Sequence, residues 1–229
     1  MRYELDQIEE RVLGCLIEKG ITTPDYYPLT LDSLTAACNQ KSNRDPVLEV
    51  DDKVVVRALD SLREKELARV VSGAEIRVPK YYHRFAESED LSPPQLAVLC
   101  ELMLRGPQTV GELRGRASRM VEFADLASVE TVLLELASRE ADHKSGPAVR
   151  QLPRQPGRKE SRYAHLFAGE PALTAEESAH TQGPAPEPAR LIVQAENERI
   201  EGLESAVQEL RDEVAEMRSQ LDSFKQQFE

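Results

Sequence analysis

The stretch IEERVLGCLIEKG (8–20) decides the fold, because PQLAVLCELMLRG (94–106) repeats its pattern 86 residues later. In the first stretch Ile8, Val12, Leu13, Leu16 and Ile17 recur at helical spacing on one face, and each run stops at a glycine, Gly20 or Gly106. Working outward, TLDSLTAAC (30–38) and TVGELRGRA (109–117) each place a threonine cap ahead of a short helix, now at an offset of 79. A third helix follows in both places: Val55, Ala58, Leu59 and Leu62 answer to Val129, Val132, Leu133 and Leu136 at an offset of 74. LARVVSGAEIRVPKYYHRF (67–85) then alternates apolar and polar residues as a β-hairpin does, and its end YYHRF (81–85) matches YAHLF (163–167) at an offset of 82. The predicted unit is helix, helix, helix, hairpin, and it is present twice.

Three small helices closed by a two-stranded hairpin form the winged-helix variant of helix-turn-helix. The expected fold class is therefore α+β, mainly α with small β-hairpins. It comprises tandem winged-helix domains over 1–86 and 87–169, a linker over 170–190 and a coiled-coil helix over 191–229. The shifting offsets place insertions in loops, with extra residues between the helices of the first repeat and a longer hairpin tip, LPRQPGRKE (152–160), in the second. The linker sequence TAEESAHTQGPAPEPAR (174–190) has no apolar period. Beyond it Val193, Ile200, Val207, Val214, Leu221 and Phe228 fall at heptad position a, and Leu203, Leu210, Met217 and Phe224 at d, interrupted only by Glu196. Branched a positions with leucine-rich d positions predict a parallel homodimer, in which Arg199 meets Glu204 and Glu213 meets Arg218.

Composition agrees with small helical modules: tryptophan is absent, aromatics make up 5% and charged residues 31%. The net charge of −12 is unevenly spread, at −2 over 1–86, −1 over 87–169 and −9 over 170–229, so the acidity belongs to the tail. No run approaches the roughly 20 apolar residues a membrane helix needs, and the acidic, amphipathic start MRYELDQIEERVL is unlike a signal peptide, so a cytoplasmic protein without membrane contact is expected. Cys15, Cys38 and Cys100 lie in helical apolar patterns without a CxxC pair, which predicts buried free thiols.

The segment GITTPDYYPLTLDSLTAACNQKSNRDP (20–46) closely resembles the signature of the YceH-like family of bacterial proteins of unknown function. The resemblance runs over roughly 3–169 and implies tandem winged helices. It implies no reaction or ligand, and the heptads lie outside it.

DNA and another protein are both candidate partners for the winged helices. A DNA-reading third helix offers Arg, Lys, Asn or Gln, while wing and turn hold phosphates. Candidates for such contacts, or for a partner's polar groups, are Lys41, Asn43 and Arg44 in NQKSNRDP (39–46), Arg57 on the third helix, Arg114 and Arg116 with Arg119 on the second helix of the second repeat, and Arg150, Arg154, Arg158, Lys159 and Arg162 along its wing. The alternative for 39–46 is a long turn ordered by its own Asn, Ser and Asp side chains. Asp51 and Asp52 read as helix caps that oppose phosphate. Leu134, among Glu130, Thr131, Glu135 and Ser138, predicts a protein-contact face. Tyr26 and Tyr27 form a second candidate contact, against the alternative of an edge strand packing one ring on the core.

No phosphate loop, dinucleotide fingerprint, HExxH or GxSxG is present, and His83 and His165 fall at equivalent hairpin positions that suggest a repeated structural role. No catalytic residue, metal or cofactor is expected. The first reading is a dimeric DNA-associated protein of regulatory type; the second is a dimeric adaptor that holds proteins.

Overall fold

The computed structural model describes residues 4–71, 78–140, 146–154 and 160–169. The expected linker and coiled coil, together with Arg158 and Lys159, lie outside them. Helix α1 (Gln7–Thr22) opens on a capping box: the Asp6 carboxylate accepts the Ile8 and Glu9 amides at 2.8 Å, and Glu9 accepts the Asp6 amide at 2.8 Å. It runs two residues past the expected stop at Gly20. That glycine makes room instead, since a side chain there would meet the Tyr27 ring at 3.3 Å. DYYP (25–28) is not a strand. A 3-10 turn (Pro24–Tyr26) leads to a two-residue strand β1 (Leu29–Thr30).

Thr30 then caps α2 (Leu31–Cys38) by accepting the Ser33 amide, and Asp51 caps α3 (Asp52–Glu64) through the Val54 amide. Strands β2 (Ala68–Val71) and β3 (Lys80–His83) pair antiparallel, Ala68 opposite His83, and β1 adds to the far side of β3 with Leu29 opposite Tyr81. A five-residue helix α4 (Phe85–Glu89), which the hairpin pattern gave no sign of, leads into the second repeat. Helices α5 (Pro93–Arg105), α6 (Val110–Ala117) and α7 (Leu126–Ala137) and strands β4 (Val149–Gln151) and β5 (Tyr163–His165) follow in the expected order. A single bridge between Gln108 and Tyr163 takes the place of the Leu29–Tyr81 pair, at the offsets of 79 and 82 read from the sequence.

The described fold is thus helix-dominated α+β with two small antiparallel sheets. Helix α3 packs on α1, α7 on α5, and α1 on α5. The last contact is close because of Gly14, where a Cβ would lie 2.8 Å from the buried Leu104 side chain. At the crossing the Cys100 thiol donates to the Gly14 carbonyl at 3.3 Å, and these two residues are equivalent positions of the repeat. Phe85 and Phe167, equivalent at the ends of the two hairpins, also meet edge to face with centroids 5.1 Å apart. Contacts between equivalent positions are the signature of a two-fold relation, so the repeats pack about an approximate dyad. Their apolar faces join in one core, in which Val12, Leu16, Leu59 and Leu62 belong with Leu99, Leu102, Leu133 and Leu136. Among the described residues no helix is long and apolar enough to cross a membrane.

Leu59 and Leu133 are both fully enclosed, at equivalent places in that core. Leu59→Ala and Leu133→Ala should each lower unfolding free energy by about 2–5 kcal/mol in urea titration, whereas exposed Arg57→Ala should change it by less than about 0.5 kcal/mol. Equal shifts for all three would show that the helical faces are wrongly assigned.

Candidate functional site

The segment expected to present Lys41, Asn43 and Arg44 to phosphate turns inward. Asn39 closes it by donating to the Val50 carbonyl and accepting the Val50 amide, each at 2.8 Å. Arg44 is buried, and its guanidinium donates to the carbonyls of Ala37 (3.2 Å) and Asn43 (2.9 Å), to Gln40 Oε1 (3.1 Å), to Cys15 Sγ (3.4 Å) and to both oxygens of Glu18. The expectation of a phosphate contact at Arg44 is therefore corrected: its charge is consumed by a buried carboxylate. Asn43, at φ 56°, bridges the repeats, since its amide faces Glu18 Oε1 (3.3 Å) and Glu101 Oε1 (3.4 Å) while its oxygen accepts from Arg105 (3.2 Å). Lys41 alone of the three stays exposed.

Glu18 on α1 and Glu101 on α5 sit on otherwise apolar helix faces and are buried. Arg119, 34% exposed, reaches over both, donating to Glu101 Oε1 at 2.6 Å and to Glu18 Oε1. The Asp45 amide adds a bond to the Leu104 carbonyl at 3.0 Å. Burial by itself would raise the Glu18 pKa, but the hydrogen bond and charge of Arg44, followed by those of Arg119, outweigh it and hold the carboxyl down at about 2. Two carboxylates and two guanidiniums thus form a neutral cluster at the seam. Sequence reading passed over its acidic half, although a glutamate at position 101 inside LAVLCELML, an apolar run, is the signal that marks it.

The other basic candidates are partly spoken for. Arg114 donates to the Ala124 carbonyl (2.9 Å), Arg116 to Gln108 (2.8 Å) and Glu112 (3.4 Å), and Arg162 to the Pro107 carbonyl (2.8 Å) and Glu112 (3.4 Å). Arg57 on α3, and Arg150 and Arg154 on and after β4, are exposed.

The apolar candidates divide differently. Tyr26 stands 79% exposed, whereas the Tyr27 ring packs inward and its hydroxyl accepts the His83 amide at 2.7 Å. Burial lowers His83 to about 4 against the opposing pull of Glu87, so this imidazole is neutral at pH 7. On α7 Leu134 is 66% and Leu126 48% exposed, flanked by the exposed Ala127, Glu130 and Thr131. Leu126 is not among the residues that the sequence reading singles out. All three cysteines are buried, Cys15 under the Arg44 guanidinium. Among the described residues no group of His, Cys, Asp and Glu is disposed to hold a metal.

Residues 5–158 match the family model described as protein of unknown function, DUF480. Over 229 residues, the whole of both chains, the sequence is 60% identical to a UPF0502 protein of Geotalea uraniireducens and 58% identical to one of Geobacter sulfurreducens. A UPF0502 protein of Vibrio vulnificus is 48% identical over 228 residues, 98% of this chain and all of the relative. The full-length matches run through residues 170–229, so the acidic tail has a counterpart in these relatives.

Glu18→Gln should cost about 3–5 kcal/mol at pH 7, because it leaves Arg44 buried without a counter-charge. Since the folded pKa lies below the unfolded one, the stability Glu18 contributes is present above about 4.5 and is lost as pH falls toward about 2. The gap between wild type and variant, followed by urea denaturation, should therefore narrow over that window; a gap independent of pH would remove Glu18 from the charge cluster.

Proposed function

The chain belongs to the DUF480 family, bacterial proteins of unknown function, and from that premise we propose that it is a non-catalytic, dimeric protein of tandem winged-helix domains whose third helix α7 is a protein-contact face. The observation that carries this reading is the outer face of α7. It exposes Leu126 and Leu134 and is lined by Glu130 and Glu135, and the helix LASVETVLLELA contains no lysine or arginine. A helix of that composition repels phosphate and offers a base edge nothing to bond. An exposed apolar strip rimmed by polar residues is instead the usual form of a protein contact. The exposed Tyr26 supplies a second anchor of the kind enriched at interfaces.

Association with DNA is the second reading, favoured by one observation: Lys53 and Arg57 are exposed on α3, and Arg150 and Arg154 are exposed at the second wing, with Arg158 and Lys159 next in sequence. These cations could track a backbone without reading bases. Dimerisation rests on the heptads of 191–229, and a cytoplasmic location belongs to the same proposal.

Fluorescence anisotropy with the full chain and a labelled duplex at about 10 mM salt, where attraction to phosphate is least screened, separates the two readings. Negligible binding is expected, including for a chain lacking 170–229. Should duplexes of any sequence bind, with a salt slope that Arg154→Glu, Arg158→Glu and Lys159→Glu together flatten by about 2.7, DNA association replaces the adaptor reading. Proteins retained by the wild-type chain should be lost when Leu126 and Leu134 are both changed to lysine. Light scattering should show that deleting residues 188–229 halves the mass at micromolar concentration.

A further inference from the structure

We infer that the face of α7 is covered by α3 of a second copy of this chain. The inference rests on the reading of α7 as a protein-contact face and names its occupant. The third helices of the two repeats correspond at an offset of 74, so Ala127 stands where α3 has Lys53, Thr131 where it has Arg57 and Leu134 where it has Asp60. From one scaffold position the two faces have become complementary. On α7 the exposed leucines stand beside Ala127, Thr131 and the acids Glu130 and Glu135, with no cation in the helix. On α3 an open depression of about 430 Å³ is floored by Leu31 and Val56 and edged by Lys53 and Arg57. Asp52, also at its rim, is held by the Thr35 hydroxyl at 2.6 Å. Leu126 and Leu134 projecting from a partner's α7 cover this shallow depression, while Glu130 and Glu135 come to Lys53 and Arg57. Pairing of α7 with itself would set those glutamates against their own copies.

In a two-fold dimer the contact is made once in each direction, α3 of each chain receiving α7 of the other. One helix-to-helix patch falls short of the roughly 800 Å² per partner of a stable interface. Two patches tethered by a C-terminal dimer act at an effective concentration in the millimolar range, which makes up the difference.

Disulfide trapping in the full chain tests the inference, since the native cysteines are buried. Chains carrying Val56→Cys or Leu134→Cys are co-expressed, oxidised mildly and resolved without reductant. The mixed pair should trap at least about tenfold more than either variant alone. Trapping should fall with Lys53→Glu and Arg57→Glu and recover when Glu130→Lys and Glu135→Lys are added. Dominant Leu134→Cys homodimers would overturn the inference, as would a chain that is dimeric by light scattering but gives no mixed product. In that second case the reading of α7 as a face for other proteins stands if proteins retained by the wild type are still lost from the Leu126→Lys, Leu134→Lys chain. A monomeric chain would overturn both the inference and the dimeric reading.

Discussion

Everything described hangs on the crossing of α1 over α5 at Gly14. A side chain there would drive into the enclosed Leu104, so only glycine lets the two first helices approach closely. The same approach brings Glu18 and Glu101 into one desolvated place, where unpaired carboxylates would be costly. Arg44 and Arg119 resolve that conflict, one from within the first repeat and one from the second. Apolar burial supplies the attraction between the repeats, but it is tolerant of sliding and rotation. The charges are not, because a shift of one turn would strand a carboxylate without its guanidinium. The cluster therefore fixes the register of the seam more than it adds to its strength.

With the seam fixed, the third helices become carriers of difference. Val55, Leu59 and Leu62 on α3 and Val129, Leu133 and Leu136 on α7 do the same packing, and the residues between them are free to diverge. On α3 these are mostly charged; on α7 they include two leucines and no cation. A net charge of −12 hides this division, because most of it belongs to the tail. What a partner meets is decided by which few side chains escape the core on each helix.

The order of elements was legible because it rests on periodicity that two repeats state independently. Caps at Thr30, Asp51 and Thr109 were legible for the same reason, being local. Two differences are local as well: Gly20 reads as a helix stop but serves as a gap for Tyr27, and DYYP, read either as a contact surface or as an edge strand packing one ring on the core, is a turn that does pack the Tyr27 ring inward. Arg44 failed for a different reason. Amid NQKSNRDP it looks like any solvated loop cation, and only the three-dimensional meeting of residues 18, 44, 101 and 119 reveals it as a buried partner. Leu134 was legible because it interrupts a polar face, while Leu126 was not, since a leucine at a helix start satisfies the core pattern equally well.

The two repeats share one core through the α1–α5 crossing and should open as a single cooperative body. Native-state amide hydrogen exchange on the Leu59→Ala chain distinguishes this from independent opening, because the lesion lies wholly in the first repeat. Opening free energies should fall by the same amount for α1 amides such as Leu13 and Leu16 and for α5 amides such as Leu99 and Leu102. Loss of protection confined to α1, α2 and α3, with α5 unchanged, would show that the repeats open separately.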